Sequence, residues 1–129
     1  MAKSITQISS PDSERAALSC MMLSADTRYK AIEVLRREDF GVSTNRIIFD
    51  VLVGMTTANL DVDLILLIER LKELNLIGNV GGVGYISDID SLEVTAHNFS
   101  SYVSTIRGVA LKRSIAEIGM WAMEEAHKR

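Results

Sequence analysis

Closely spaced glycines can bring backbone amides up against a phosphate, and the sequence has one such cluster, GNVGGVG at Gly78–Gly84. A Walker-type loop follows its last glycine with a lysine for the phosphate and a hydroxyl for magnesium. Here Tyr85 and Ile86 follow Gly84, and no lysine is near. A dinucleotide fingerprint needs a strand before its first glycine, whereas Leu64, Ile65, Leu67, Ile68, Leu71 and Leu74 recur at helical spacing. The structural reading is that Gly78 takes the left-handed conformation that ends a helix, and that Gly81 or Gly82 opens the next. Gly78, Gly81 and Gly82 are therefore expected to form a structural turn. A nucleotide-binding loop at Gly78–Gly84 is the alternative.

Other reactive side chains are scattered. His97 and His127 are the two histidines, and neither stands at metal-ligand spacing from the other or from Cys20. His97 falls in a polar turn, which suits a surface or capping role. Cys20 sits beside Met21 and Met22 in a helical pattern with no nearby cation, the setting of a buried structural thiol. Asp88 and Asp90 are two residues apart and cannot share a helix face. Asp61 and Asp63 read as turn and cap residues. No nucleophile has a base nearby in sequence, so no catalytic residue, cofactor site or metal site is assigned.

The elements that position these residues read as an all-α bundle of about six helices. Residues 1–9 form a flexible lead, and residues 10–129 form one domain. Ser10 caps the first helix, with Pro11 at its first position and Asp12 beside its positive end. Ala17, Leu18, Met21 and Met22 supply its inner face. Asp26 is expected to cap the second helix, with Tyr29, Ile32 and Leu35 inward, and Gly41 breaks the pattern. Ser43 or Thr44 starts the third, whose stripe is Ile47, Ile48, Val51, Leu52 and Met55. Asp63 caps the fourth, and a short fifth carries Tyr85, Ile86 and Ile89.

The last helix, from Asn98 onward, changes face. Phe99, Tyr102, Val103, Ile106, Val109 and Ala110 make one stripe. Continuing it would put Arg113, Ser114 and Glu117 inside, but the apolar residues move to Leu111, Ile115, Ile118 and Ala122. Each residue turns a helix by about 100°, so this offset swings the stripe away from its first partner. Leu111, Ile115, Ile118, Trp121 and Ala122 are therefore expected to meet another surface as a self-association interface. A bend near Gly108 is the alternative.

Composition limits the function classes. The chain has 129 residues, a net charge of -3, 47% hydrophobic and 24% charged residues, and one cysteine. That length buries roughly 65–70% of the unfolded surface in one domain without staples. An acidic balance argues against nucleic-acid binding by this domain alone. Arg36–Arg37 and Lys112–Arg113, the internal basic pairs, read as solvated helix surface. No apolar run is long enough to span a membrane, and MAKSITQISS lacks a signal-peptide core. The expected location is the cytoplasm.

The residues also resemble the N-terminal domain of the replicative DNA helicases of the DnaB family, across residues 10–126. Pro11–Leu23 is similar to that family's opening helix, in which a Ser-x-Glu-x-x-x-Leu-like pattern precedes a small residue and Met-Leu. Asp39–Phe40 matches the Asp-Phe that closes its second helix. Asn45–Phe49 is similar to the start of its third, and Val62–Leu71 to its Val-Asp-Leu and leucine-rich helix. Gly81, Gly82 and Tyr85 match Gly-Gly-x-x-Tyr, and Asn98, Tyr102, Ile106 and Arg113 fit its long helix. Gly41 departs from the tyrosine often found after Asp-Phe.

The resemblance implies a non-catalytic oligomerisation and primase-docking domain in DNA replication. Its partners would be itself, as a dimer or a collar of dimers in a hexamer, the helicase-binding domain of primase, and a helicase loader. The longer protein would unwind duplex DNA using ATP and magnesium held in a motor domain absent from this chain. The helix beyond residue 110 would be the first arm of a helical hairpin, with the second arm beyond Arg129. A primase helicase-binding domain is the other protein-binding alternative.

Overall fold

The computed structural model describes residues 8–128. They form six α-helices: α1 (Pro11–Leu23), α2 (Ala25–Val34), α3 (Ser43–Thr57), α4 (Leu64–Glu73), α5 (Gly82–Asp90) and α6 (Phe99–His127). Short 3-10 turns at Arg37–Asp39 and Ala96–Asn98 precede α3 and α6, and no strand occurs among the described residues. The all-α expectation holds. Of the lead, residues 1–7 lie outside the described residues, while Ile8 and Ser9 are partly buried.

Helix α1 is the centre of the bundle and packs against α2, α3, α5 and α6. Ser10 takes the N-cap and Pro11 the first turn, with Asp12 and Glu14 near the positive end. Ala17, Leu18, Cys20 and Met21 are fully buried. The cap of α2 is Ser24 rather than Asp26: the Ser24 hydroxyl accepts from the Thr27 amide at 3.1 Å. Asp26 stands in the first turn, still favoured by the dipole. The buried face of α2 is Thr27, Arg28 and Ala31. Tyr29, expected inside, is 52% exposed, whereas Leu35 is buried.

Asp63 caps α4 as expected, its carboxylate accepting from the Leu66 amide at 2.8 Å. Helices α3 and α4 then end by one device. Asn59 and Asn75 adopt positive φ of 62° and 57°. The next amides fold back, Leu60 to the Met55 carbonyl at 2.9 Å and Leu76 to the Leu71 carbonyl at 2.8 Å. This is the left-handed C-terminal motif, reached with asparagine in place of glycine. Gly78 is therefore not the residue that ends α4 and does not have positive φ; Gly81 and Gly82 do, at 82° and 83°. The cap falls three residues earlier because asparagine tolerates this region almost alone among side-chain-bearing residues.

The interior is aliphatic, with Phe40 and Phe49 tilted against each other at 4.8 Å between ring centres. Helix α6 runs unbroken through Gly108 for 29 residues, about 43 Å at the usual rise. Phe99, Val103, Ile106 and Ala110 are buried along it.

Candidate interaction site on the C-terminal helix

Arg113 marks where α6 leaves the bundle. It was expected on a solvated basic face, yet it is buried. Its guanidinium continues the inner stripe and donates to three backbone carbonyls: Ile8 at 2.9 Å, Glu38 at 2.9 Å and Asp39 at 3.1 Å. Five N–H donors in a planar fork suit such a cluster of acceptors. Gly41 makes room for it. A Cβ there would stand 2.7 Å from both Arg113 Nη1 and Ser9 Cβ.

Beyond this anchor the helix has no packed core beneath it. Leu111, Ile115, Ile118, Trp121 and Ala122 are all exposed, Ile118 at 64%. From residue 114 to 127 the helix extends for about 20 Å at 1.5 Å per residue. Contiguous exposed apolar patches of this kind are uncommon on monomeric soluble proteins.

A second polar cluster holds α1, α3 and α5 together. Glu14 accepts from the Gly41 amide at 2.8 Å, the Val42 amide at 3.2 Å and the Asn45 side-chain amide at 3.0 Å. Tyr85 completes the chain by donating its hydroxyl to the Asn45 side-chain carbonyl. Burial pushes the Tyr85 phenol up from its ordinary value, with hydrogen bonding from Arg15 opposing. Burial likewise raises the Cys20 thiol, as a structural cysteine requires. These groups are consumed in the fold.

Four amides of the glycine turn are also committed internally. The amides of Asn79, Val80, Gly81 and Gly82 already donate to the carbonyls of Leu76, Leu76, Gly78 and Ile77. They are not free to cradle a phosphate, and a helix precedes them rather than a strand. His97 is exposed in its turn. Among the described residues no group of three or more His, Cys, Asp or Glu side chains could hold a metal. No helix among them is long and apolar enough to cross a membrane.

A family model described as the DnaB-like helicase N terminal domain matches residues 6–108. The chain belongs to that family. The replicative DNA helicase DnaB of Leifsonia xyli is 29% identical over 115 residues, covering 89% of this chain and 25% of that protein. The replicative DNA helicase DnaC of Bacillus subtilis is 24% identical over 118 residues, covering 92% and 26%. The chain thus spans about a quarter of the length of the curated relatives it matches. The N-terminal domain of DnaB helicase from Mycobacterium tuberculosis has the same fold, with a TM-score of 0.87 at 24% identity, over 92% of this chain and 86% of that one.

Membership in the DnaB-like N-terminal domain family puts the chain on the helicase side, not among primase helicase-binding domains. The resemblance motifs acquire a physical meaning. Glu14 of the opening pattern, Asn45 of the third-helix start and Tyr85 of Gly-Gly-x-x-Tyr are joined by side-chain hydrogen bonds in one network. Arg113 is the anchor of α6. Glu14, Asn45, Tyr85 and Arg113 thus hold the fold together, and composition alone could not separate Glu14 and Arg113 from surface charge. The signal that could have found Arg113 was its place on the continuation of the inner stripe.

Proposed function

We propose that this domain is a non-catalytic self-association and primase-docking module of a replicative helicase. One observation carries the reading: the apolar side of α6 from Leu111 to Ala122 is exposed on a helix otherwise fixed to the bundle by Arg113. Its first partner is a second copy of the domain, in dimers or in a collar of dimers around a hexamer. The helicase-binding domain of primase is its second partner and a helicase loader its third. In this reading ATP and magnesium belong to a separate motor domain, which unwinds duplex DNA in the cytoplasm.

Analytical ultracentrifugation across a concentration series tests the core of this. Wild-type chain is expected to sediment faster as concentration rises. Ile115→Asp and Ile118→Asp are expected to abolish that rise with helicity retained, because a carboxylate is costly to bury against apolar partners. Sedimentation independent of concentration in the wild type overturns self-association. An immobilised primase C-terminal domain is expected to retain the chain, and failure to do so removes the docking half alone.

A further inference from the structure

The turn that ends α3 builds a groove that no residue of α6 lines. Asn59 is left-handed and returns the Leu60 amide to the Met55 carbonyl. Leu60 then stands beside α4, and the space between them is about 420 Å³. Buried Met55 forms its floor, and Leu60 and Leu66, 45% and 37% exposed, form its walls. Leu66, Glu69, Arg70 and Glu73 fall within an arc of about 100° on α4, so charged groups border the apolar walls. That border is acidic. Asp61, Glu69 and Glu73 oppose one cation, Arg70, which Glu73 already holds at 3.1 Å. Asp61 and Glu69 are exposed and make no ion pair among the described residues.

Leu60 and Asp61 also line a smaller cleft with Arg28, Tyr29, Thr56 and Asn59, so the two run together. Arg28 is buried, donates from Nη1 to the Met21 carbonyl at 2.9 Å, and leaves Nε without a partner. Asp61 attracts it from beyond ion-pair distance. A guanidinium closed off from water without a counter-charge is costly, and its planar fork suits a carboxylate. The groove thus has an apolar middle, one unanswered cation at its α2 end and unanswered carboxylates along α4.

This charge order selects an occupant. An acidic border repels nucleic acid and anionic lipid surfaces. An apolar groove between charges fits an amphipathic helix. Helices favour acids in the first turn and bases toward the last, which matches Arg28 at one end and Glu69 and Glu73 at the other. A second copy does not supply such a helix: the free half of α6, residues 114 to 127, carries Glu117, Glu124 and Glu125 and no lysine or arginine. We propose that the groove between α3 and α4 docks a basic amphipathic helix of another protein, its first turn at Arg28 and its basic turns along Glu69 and Glu73. This surface is separate from the α6 face and does not depend on self-association.

A fluorescein-labelled peptide about 15 residues long tests this, with leucines at helical spacing, glutamates in its first turn and lysines elsewhere. Fluorescence anisotropy with the whole chain is expected to show binding that weakens with salt. A scrambled peptide of the same composition is expected not to bind, and one with its glutamates in the last turn to bind more weakly. Leu66→Lys and Glu69→Lys, both at exposed positions, are expected to weaken binding about tenfold with helicity retained in circular dichroism. Ile118→Asp is expected to leave it unchanged. No binding of the designed peptide, equal binding of the scrambled one, or loss in Ile118→Asp but not in Leu66→Lys overturns the proposal. Equal binding with the glutamates moved overturns the seat at Arg28. Loss of concentration-dependent sedimentation in Leu66→Lys makes the occupant a second copy and overturns the choice of partner.

Discussion

The Glu14 carboxylate accepts a hydrogen bond from the Asn45 side chain at 3.0 Å, with both residues closed to solvent at 1% and 0% exposure. The same carboxylate receives the amides of Gly41 and Val42. Val42, the N-cap of α3, has no side-chain acceptor of its own. Glu14 therefore supplies from α1 the acceptor and the negative charge that the start of α3 lacks. Glu14→Ala is expected to lower unfolding free energy by about 2–4 kcal/mol, since three donors lose their partner. Glu14→Gln is expected to fall between, keeping an acceptor and losing the charge. Urea denaturation monitored by circular dichroism measures both. A loss below about 1 kcal/mol for Glu14→Ala would show that the cluster does not hold α1 to α3.

Arg113 and Gly41 form a lock and its opening. Arg113→Ala leaves three carbonyls without their donor and is expected to cost about 1–3 kcal/mol. Gly41→Ala places a Cβ at 2.7 Å from Arg113 Nη1 and is expected to cost about 1–3 kcal/mol through overpacking. Removing the guanidinium frees much of that space. The double variant is thus expected to be less destabilised than the sum of the single ones by at least about 0.5 kcal/mol. Strict additivity in a double-mutant cycle would place the Gly41→Ala defect elsewhere.

The elements of this fold were legible where one signal acted alone. Helical spacing of aliphatic residues located α3 and α4, Pro11 marked the start of α1, and Asp63 was the acceptor ahead of α4. Misreadings arose where two residues close together could do the same job. Ser24 and Asp26 are both cap residues, and the hydroxyl two positions earlier won. Asn75 and Gly78 can both turn left-handed, and the asparagine did. Glu14 and Arg113 were harder, because their partners are backbone groups of Gly41, Ile8 and Glu38 brought in by the tertiary fold. The swing of the apolar stripe on α6 was visible because Leu111, Ile115 and Ile118 step off the Val103–Ile106–Ala110 face.

Stability is expected to fall as pH rises above about 10, where an unperturbed tyrosine ionises. Burial raises the Tyr85 pKa in the folded state. Between the unfolded and folded values the folded chain therefore holds the proton more often. The resulting stabilisation is complete below the unfolded value and is lost as pH climbs through the folded one. Tyr85→Phe is expected to lower stability at pH 7 through loss of the Asn45 hydrogen bond, and to flatten the alkaline decline. Cys20 acts in the same direction from its ordinary value of 9.0. Its thiol is expected to resist a disulfide reagent at pH 8 until the chain is unfolded. Equal alkaline slopes for wild type and Tyr85→Phe would assign the decline to other groups.

The turn between α4 and α5 makes opposite predictions for two glycines three residues apart. Gly81 has φ of 82°, and an alanine there would be strained by about 1–2 kcal/mol. Gly78 has no positive φ, and a Cβ there would meet nothing within 4 Å. Gly78→Ala is therefore expected to be neutral or to stabilise by up to about 0.5 kcal/mol through the unfolded chain. Asn75→Ala is expected to cost about 0.5–1 kcal/mol, because the left-handed end of α4 loses its tolerant residue. Thermal unfolding of the three variants ranks them. Since the amides of residues 79 to 82 are already bonded, added ATP is expected to leave every melting temperature unchanged, as ligand binding to the folded state would raise it. A shift of several degrees with ATP in the wild type, lost in Gly81→Ala, would reinstate the glycine turn as a nucleotide site.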